Sequence, residues 1–217
     1  MLALIFAHDG TLVDSERHHF EVWRQILGTL GVIFSESEYI RDHNGVPTPQ
    51  NAATLIDRYS LDIDVKSLCE RKNSAFADYA SRTPSPMLPT VLETLRLARS
   101  HGHKMAIATG ADTQDVIRSV HAHGLNPLFD TIATRSEVAQ GKPAPDVYLL
   151  ACERLQAHPH HAVAFEDTQT GIAAAKAAGL YCIAIPNHYS VHQDLSQADA
   201  CCATLAEAYA LAQSRAV

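Results

Sequence analysis

The sequence has few cysteines, and their positions do not indicate a metal site or a disulfide framework. Its 217 residues include only five cysteines, an odd number, and none shows the paired spacing of a thiolate metal site. A chain of this length is also unlike the small secreted domains that depend on disulfides. We therefore expect reduced thiols and a cytoplasmic location.

Long apolar runs and an excess of basic residues are also absent. No stretch approaches the roughly 20 apolar residues of a membrane-spanning helix, and residues 2–6 are too short and lack the basic flank of a signal peptide. The net charge of −7 argues against nucleic acid and against an anionic membrane as partners. A small anionic substrate stays compatible with this charge, because a local site can be positive on an acidic protein. The oligomeric state is not indicated.

Five short apolar runs are typical of strands buried in a parallel sheet. They are residues 2–6, 104–108, 131–134, 162–165 and 181–185. Segments with helix start and stop signals lie between several of them, at 112–124, 145–157 and 170–179. This alternation predicts an α/β fold with a Rossmann-like parallel sheet core and helices on both of its faces.

The segment 15–83 interrupts this alternation with helical patterns alone. Residues 16–31, 48–60 and 64–81 show them, and a connector rich in proline and serine follows at 82–89. We predict an α/β core formed by residues 1–14 and 84–217, with an inserted α-helical cap domain over 15–83. An insertion at this point is expected to lie over the strand ends and act as a lid.

Polar side chains follow four of the predicted strands. They are Asp9 after the first, Thr109 after the second, Lys142 beyond the third, and Glu166 with Asp167 after the fourth. The carboxyl ends of parallel strands form one ligand-binding edge, so these groups are expected to converge. Crowded carboxylates repel each other, and a hard cation with oxygen ligands such as Mg²⁺ relieves that repulsion. The set is suited to phosphoryl transfer, with Lys142 and Thr109 holding phosphate oxygens.

The order of these groups resembles the haloacid dehalogenase superfamily of phosphohydrolases. The family's first motif, Asp-x-Asp-x-Thr, corresponds to residues 7–11, which here read Ala-His-Asp-Gly-Thr. Its Ser/Thr, Lys and acidic-pair motifs correspond to Thr109, Lys142 and Glu166–Asp167. The inserted helices match the cap of the subgroup that includes β-phosphoglucomutase and small sugar phosphatases.

The resemblance implies a Mg²⁺-dependent phosphatase of a small phosphorylated metabolite, with a sugar phosphate as the expected substrate. In that mechanism the first motif aspartate attacks phosphorus and forms an aspartyl-phosphate. Asp9 protonates the leaving group and then activates water. The resemblance places Mg²⁺ on the first aspartate, on the backbone carbonyl of Asp9, and on Glu166 and Asp167, chiefly Asp167.

The nucleophile position of this motif is occupied by Ala7, which can neither attack phosphorus nor bind a metal. One interpretation is a deliberate substitution that disarms a phosphatase, and we favour it because Asp9, Thr109, Lys142 and the acidic pair are all retained. The other is a natural pseudoenzyme that binds a phosphorylated ligand. In either case we expect the chain itself to be nearly inactive.

Three further residues are candidates for substrate contact. His19 and Lys72 resemble cap residues of the β-phosphoglucomutase subgroup, and Gly110 follows Thr109 in "ATGAD". The mutase cap carries an arginine that grips a second phosphate, whereas the corresponding loop here, residues 44–51, contains no arginine. Its absence favours hydrolysis, with a phosphomutase as the alternative enzyme and a non-catalytic phosphometabolite-binding protein as the third possibility.

Overall fold

A computed structural model describes residues 2–215 of the chain, which forms two compact units. The α/β unit runs to Asp14 and resumes at Pro86, and the helical unit is the segment Ser15–Ser85. The sequence placed the return to the core at residue 84, two residues earlier. No helix among residues 2–215 is both long enough and apolar enough to cross a membrane.

The α/β unit is built on a six-stranded parallel sheet, as the strand–helix alternation predicted. The strand order is β3-β2-β1-β4-β5-β6, and each neighbouring pair is parallel. In the centre, Phe6 of β1 is opposite both Ile107 of β2 and Phe165 of β4, so these three strands end side by side. The strands are β1 (Ala3–Phe6), β2 (Lys104–Ala108), β3 (Thr131–Ala133), β4 (Ala162–Glu166), β5 (Tyr181–Ala184) and β6 (Ala200–Cys201).

Helices cover both faces of this sheet, which explains why its strands are apolar at nearly every position. Ala3 and Ile5 belong to one apolar cluster, which includes residues of α7 (Asp146–Leu155) and α8 (Gln169–Ala177). Leu4 and Phe6 belong to a second cluster, which includes residues of α5 (Val91–Ser100), α6 (Thr113–Ala122) and α9 (Leu205–Ser214). Successive side chains of a strand point to opposite faces, so a strand covered on both faces carries a continuous apolar run.

The sheet differs from the prediction by one residue at several strand ends and in one additional strand. Thr134 does not end β3, because its side chain and that of Glu137 form a capping box that starts a 3₁₀ turn at Arg135–Glu137. The short edge strand β6 was not predicted. It has only two residues, and Cys201 is exposed, so no apolar run marks it.

The helical unit contains α1 (Glu16–Thr29), α2 (Glu36–Asp42), α3 (Thr48–Tyr59) and α4 (Val65–Arg82). Both α1 and α3 pack against α4. Phe20, Trp23 and Ile26 of α1 are buried, as their helical spacing predicted. The short helix α2 was not predicted as a separate element, although Ser35 caps its N-terminus by accepting a hydrogen bond from the backbone N–H of Glu38.

The backbone leaves the α/β unit and returns to it at adjoining positions. The backbone N–H of Asp14 donates to the carbonyl of Pro86 at 2.8 Å, and Leu88 donates to the carbonyl of Leu12 at 3.0 Å. Val13 forms an antiparallel bridge with Met87. The α/β unit therefore contains a short, hydrogen-bonded junction from which the 71-residue segment Ser15–Ser85 departs.

Candidate active site

The end of β1 forms a tight turn around Ala7, His8 and Gly10. The N–H of Ala7 donates to the carbonyl of Phe165 at 2.9 Å, which extends the pairing with β4 by one residue. The carbonyl of His8 then accepts hydrogen bonds from the N–H groups of residues 11, 12 and 13, which closes the turn. The methyl group of Ala7 is buried, with 4% of the residue exposed.

Glycine is required at position 10 for two reasons. Gly10 has a φ of +73°, in the left-handed region that favours glycine. A Cβ built on Gly10 would lie 2.0 Å from Oδ2 of Asp167 and 2.8 Å from Nδ2 of Asn187. The turn after β1 and the side chains after β4 and β5 are therefore in close contact.

Asp167, which follows β4, is held by donors from two other strand ends. The Thr11 hydroxyl donates to its Oδ1 at 3.3 Å, and Nδ2 of Asn187 donates to its Oδ2 at 2.9 Å. Only 1% of Asp167 is exposed. Burial of a carboxylate is tolerated when donors surround it, and Thr11 and Asn187 supply two of them here.

Glu166, the last residue of β4, is bound on both oxygens by protein donors. Its Oε1 accepts from Nζ of Lys142 at 2.5 Å and from the hydroxyl of Tyr148 at 2.6 Å. Its Oε2 accepts from the backbone N–H of Asp167 at 3.1 Å. Burial and the nearby Glu166 charge raise the pKa of Tyr148 well above its usual value, so Tyr148 remains a donor. The predicted metal ligand Glu166 thus acts here as the anchor of Lys142.

A further glycine makes room for this anchor. A Cβ on Gly171, in the first turn of α8, would lie 2.1 Å from the Glu166 carboxylate. The side chain of Glu166 therefore fits only against a bare backbone at position 171. Neither Gly171 nor Tyr148 was identified as a site residue from the sequence.

The end of β2 contributes Thr109 and a carbonyl that binds Lys142. Thr109 is 2% exposed, and its Oγ1 accepts from the N–H of Ala111 at 3.0 Å. Lys142 also donates to the carbonyl of Ala108 at 3.1 Å, and its Nζ lies 5.1 Å from the centre of the Tyr148 ring. Gly110 is exposed, and its Cβ position has no atom within 4 Å, so the fold does not require glycine there.

Asp9 is more accessible than Glu166 and Asp167. Its side chain is 24% exposed, and its Oδ1 lies 3.3 Å from Nδ1 of His8. The other ring nitrogen of His8, Nε2, lies 2.9 Å from the hydroxyl oxygen of Ser119 on α6. His8 is buried, and it therefore places a polar group beside Asp9 from within the α/β unit.

The other two predicted site residues, His19 and Lys72, come together within the helical unit. The ring of His19 stacks on the ring of Phe76, with centroids 4.0 Å apart and planes at 4°. Nζ of Lys72 lies 4.8 Å from the centre of the same ring, and Lys72 is only 6% exposed. Phe76 was not predicted as part of this group. It lies four residues after Lys72 on α4, the spacing at which helical side chains meet.

The helical unit also contains a group of acidic side chains and a histidine that the sequence did not predict. Ligand atoms of Glu38, Asp42 and His43 lie within 4.8 Å of one another. Nη1 of Arg58 donates to Glu38 at 2.6 Å and to Asp42 at 2.7 Å, and Arg41 also binds Asp42. Because guanidinium groups already neutralise both carboxylates, we interpret the group as an ion-pair network between α2 and α3.

Hydrogen bonds thus connect the ends of β1, β2, β4 and β5 into one polar site. The residues there offer the carboxylate oxygens of Asp9 and Asp167, the hydroxyl of Thr109 and the ammonium of Lys142. Oxygen donors of this kind fit Mg²⁺, which takes one or two carboxylates and leaves positions for phosphate oxygens. The donor set therefore suits a divalent cation together with a phosphorylated ligand.

Comparisons with known proteins agree with this chemistry. The family model described as haloacid dehalogenase-like hydrolase matches residues 4–185. The chain is 35% identical over 181 residues to the fructose-1-phosphate phosphatase YqaB of Escherichia coli, covering 82% of this chain and 92% of that protein. It is 32% identical over 185 residues to a phosphorylated carbohydrates phosphatase of Thermotoga maritima, covering 83% and 82%.

A solved structure shows the same fold across nearly the whole chain. The crystal structure of CbbY from Rhodobacter sphaeroides in complex with phosphate superposes with a TM-score of 0.84 at 29% identity. The match covers 95% of this chain and 96% of the other.

Proposed function

Because this chain belongs to the haloacid dehalogenase-like hydrolases, a match that confirms the resemblance of its motifs, we propose that its site is that of a Mg²⁺-dependent phosphatase of small phosphorylated sugars. The family relatives are phosphoric monoester hydrolases by name. The observation that carries the proposal is the hydrogen-bonded convergence of Thr11, Asp167 and the Lys142–Glu166 pair at one edge of the sheet. The free cysteines fit the proposed cytoplasmic location.

Each residue of the site has a role in this proposal. Lys142 has three N–H donors, and two bind the protein among the described residues, so the third is available to a phosphate oxygen. The Thr109 oxygen accepts from Ala111, so its own O–H can donate to the same phosphate. Asp9 transfers a proton to the leaving group and then takes one from water.

The metal would be held by the carboxylate of Asp167 and by the backbone carbonyl of Asp9, with the side-chain carboxylate of Asp9 close by. When bound, Mg²⁺ would neutralise phosphate charge in the transition state. Glu166 contributes indirectly in our proposal, because both of its oxygens accept from protein donors. His19 and Lys72 remain proposed substrate contacts of the helical unit, as does Gly110 of the α/β unit.

Ala7 leaves this arrangement without its nucleophile. A restored aspartate would follow β1 directly and form the aspartyl-phosphate, whereas the alanine methyl has no lone pair. Removal of a catalytic nucleophile typically lowers kcat by several powers of ten. We therefore propose that this chain binds the ligand and turns it over very slowly.

The test compares the chain with Ala7→Asp and Ala7→Asn variants on a panel of sugar phosphates. Asparagine matches aspartate in size but is not a nucleophilic carboxylate. We expect phosphate release from Ala7→Asp at least about 10³-fold faster than from the other two. Equal rates for all three variants would contradict the proposal.

The same assay separates the remaining alternatives. Net isomerisation of a hexose 1-phosphate, with its bisphosphate supplied, would indicate a phosphomutase instead of a phosphatase. Ligand binding by all three variants with no turnover by Ala7→Asp would indicate a non-catalytic phosphometabolite-binding protein.

A further inference from the structure

Asn187 lies at the same edge of the sheet as the proposed catalytic residues, in the loop after β5. Its side-chain amide, Nδ2, donates to Oδ2 of Asp167 at 2.9 Å and to the carbonyl of Gly10 at 2.9 Å. Both N–H bonds of one amide group thus bind residues of the proposed metal site. The separation of 177 residues between Gly10 and Asn187 shows that only the fold brings them together.

The orientation of this amide is determined by its other end. Oδ1 of Asn187 accepts from the backbone N–H of Tyr189 at 2.8 Å and from that of Ser190 at 3.1 Å. An oxygen must face these two donors, so the nitrogen must face Gly10 and Asp167. The backbone N–H of Asn187 also donates to the hydroxyl of Ser190, which is fully buried.

The acceptors that Asn187 bridges belong to the groups that would hold the cation. Asp167 offers a carboxylate, and Gly10 follows the carbonyl of Asp9 in the turn. Without the amide, the Gly10 carbonyl and Oδ2 of Asp167 would lose the donor that bridges them, and of these two donors only Thr11, at Oδ1, would still orient the carboxylate. Residues that orient metal ligands in this way typically change metal affinity by about 10- to 100-fold when mutated.

We propose that Asn187 is a positioning residue, which orients the Asp167 carboxylate and the turn at Gly10 for the divalent cation. This inference rests on the proposed function, because it assumes that the cation binds at Asp167. Asn187 acts through these two residues and has no assigned contact with the substrate.

The test measures Mn²⁺ dissociation by electron paramagnetic resonance and Mg²⁺ dissociation by calorimetry. The proteins are the unmodified chain, Ala7→Asp, and each of these with Asn187→Ala. We expect Asn187→Ala to raise the dissociation constant by about 10- to 100-fold in both backgrounds. Binding that is unchanged by Asn187→Ala would overturn the inference and leave the proposed function intact.

Ser190→Ala is the matched control. It removes the hydroxyl that accepts the Asn187 backbone N–H but leaves the side-chain amide in place. We expect it to change metal affinity by less than about twofold. An equal loss of metal affinity in Ser190→Ala and Asn187→Ala would mean that the order of the loop after β5 alone determines the affinity. It would refute the role of the Asn187 amide as a hydrogen-bond donor.

A second measurement needs no substitution, in case Asn187→Ala fails to fold. The side-chain ¹⁵N–¹H signals of Asn187 in the unmodified chain should shift as Mg²⁺ is added, because its two bonds lead to the metal site. Saturation with Mg²⁺ that leaves these signals unmoved would contradict the inference. Absence of any Mg²⁺ binding, even in Ala7→Asp, would refute both this inference and the proposed function.

Discussion

Two adjacent carboxylates, Glu166 and Asp167, are almost completely buried at the end of β4. Each is 1% exposed, and an isolated buried charge is costly unless donors and counter-charges surround it. Lys142 and Tyr148 donate hydrogen bonds to Glu166. Thr11 and Asn187 donate hydrogen bonds to Asp167. Removal of one donor therefore leaves a buried carboxylate with one hydrogen bond fewer.

Tyr148→Phe tests this dependence, because it deletes only the hydroxyl that donates to Glu166. We expect a loss of about 1.5–3 kcal/mol in the free energy of unfolding, the range for a buried hydrogen bond to a charged group. Urea unfolding measures it. Tyr59→Phe is the comparison, since the Tyr59 hydroxyl donates to Glu38 at 2.6 Å in a half-buried position. A loss for Tyr148→Phe no larger than for Tyr59→Phe would count against the argument.

Gly10→Ala tests the close contact between the β1 turn and Asp167. The left-handed backbone and the 2.0 Å approach to the Asp167 carboxylate both oppose a Cβ. We expect unfolding free energy to fall by at least about 2 kcal/mol, measured in urea. Gly110→Ala is the control, with an expected change within about 0.5 kcal/mol, because no atom lies near its Cβ position. Similar losses of unfolding free energy in Gly10→Ala and Gly110→Ala would show that the Asp167 carboxylate does not exclude a Cβ at position 10.

Most motif residues could be predicted from the sequence because they lie just after an apolar run, whereas Lys142 lies beyond the loop that follows β3. Asp9, Thr109 and Asp167 follow predicted strands, and parallel pairing brings their positions together. Asn187 and Tyr148 were missed for a physical reason. Their roles depend on hydrogen bonds to residues distant in sequence, and no local periodicity encodes those bonds.

At the scale of elements, α2 and α3 are joined by charges. Burial would raise the pKa of Glu38, but hydrogen bonds from Tyr59 and Arg58 outweigh it and hold this pKa below its usual value. The pKa of His43 is also lowered, but here burial is the main cause. Burial and the positive charge of Arg58 lower the pKa of His43, although its bond to Asn51 opposes the shift.

These shifts predict that folding stability decreases in mild acid. A histidine whose pKa is lowered by folding binds its proton more readily when unfolded, so stability falls as the pH drops below the unfolded value of about 6.5. Each such histidine contributes at most about 1.4 kcal/mol per pH unit. Burial lowers the pKa of His103 in the α/β unit as well, so both residues contribute.

Urea unfolding between pH 8 and pH 5 measures this decrease, with His43→Gln and His103→Gln as variants. Each substitution should reduce the slope between pH 6.5 and pH 5, and the double variant should reduce it further. The contribution of Glu38 and Asp42, whose pKa values are both lowered, is lost only in stronger acid, near and below pH 4. An unchanged slope in the double variant would refute the assignment.

Six of the helices and the five longer strands were predicted, whereas α2, α5, α9 and β6 were not. The helix α2 has seven residues and a single buried one, Tyr39. β6 has two residues and is held by β5 alone. For elements this short, position in the fold decides the structure, and propensity contributes little.

At the scale of the whole molecule, the junction between Asp14 and Pro86 predicts that the α/β unit folds without the helical unit. Residues on either side of the junction are already hydrogen-bonded, so a turn of about four residues can connect them. We expect a chain in which such a Gly/Ser linker replaces residues 15–85 to show cooperative thermal unfolding and dispersed amide spectra. A molten or aggregated product would contradict this expectation.

The same junction separates changes within the inserted segment, residues 15–85, from changes within the α/β unit. Backbone atoms on both sides of it are hydrogen-bonded within the α/β unit, so we expect exchange of the intervening segment to leave the path of β1 unaltered. Under the proposed function, the reacting residues and the proposed contacts His19 and Lys72 are encoded in separate stretches of the gene, and we expect a different insert to leave the proposed chemistry of an Ala7→Asp chain in place.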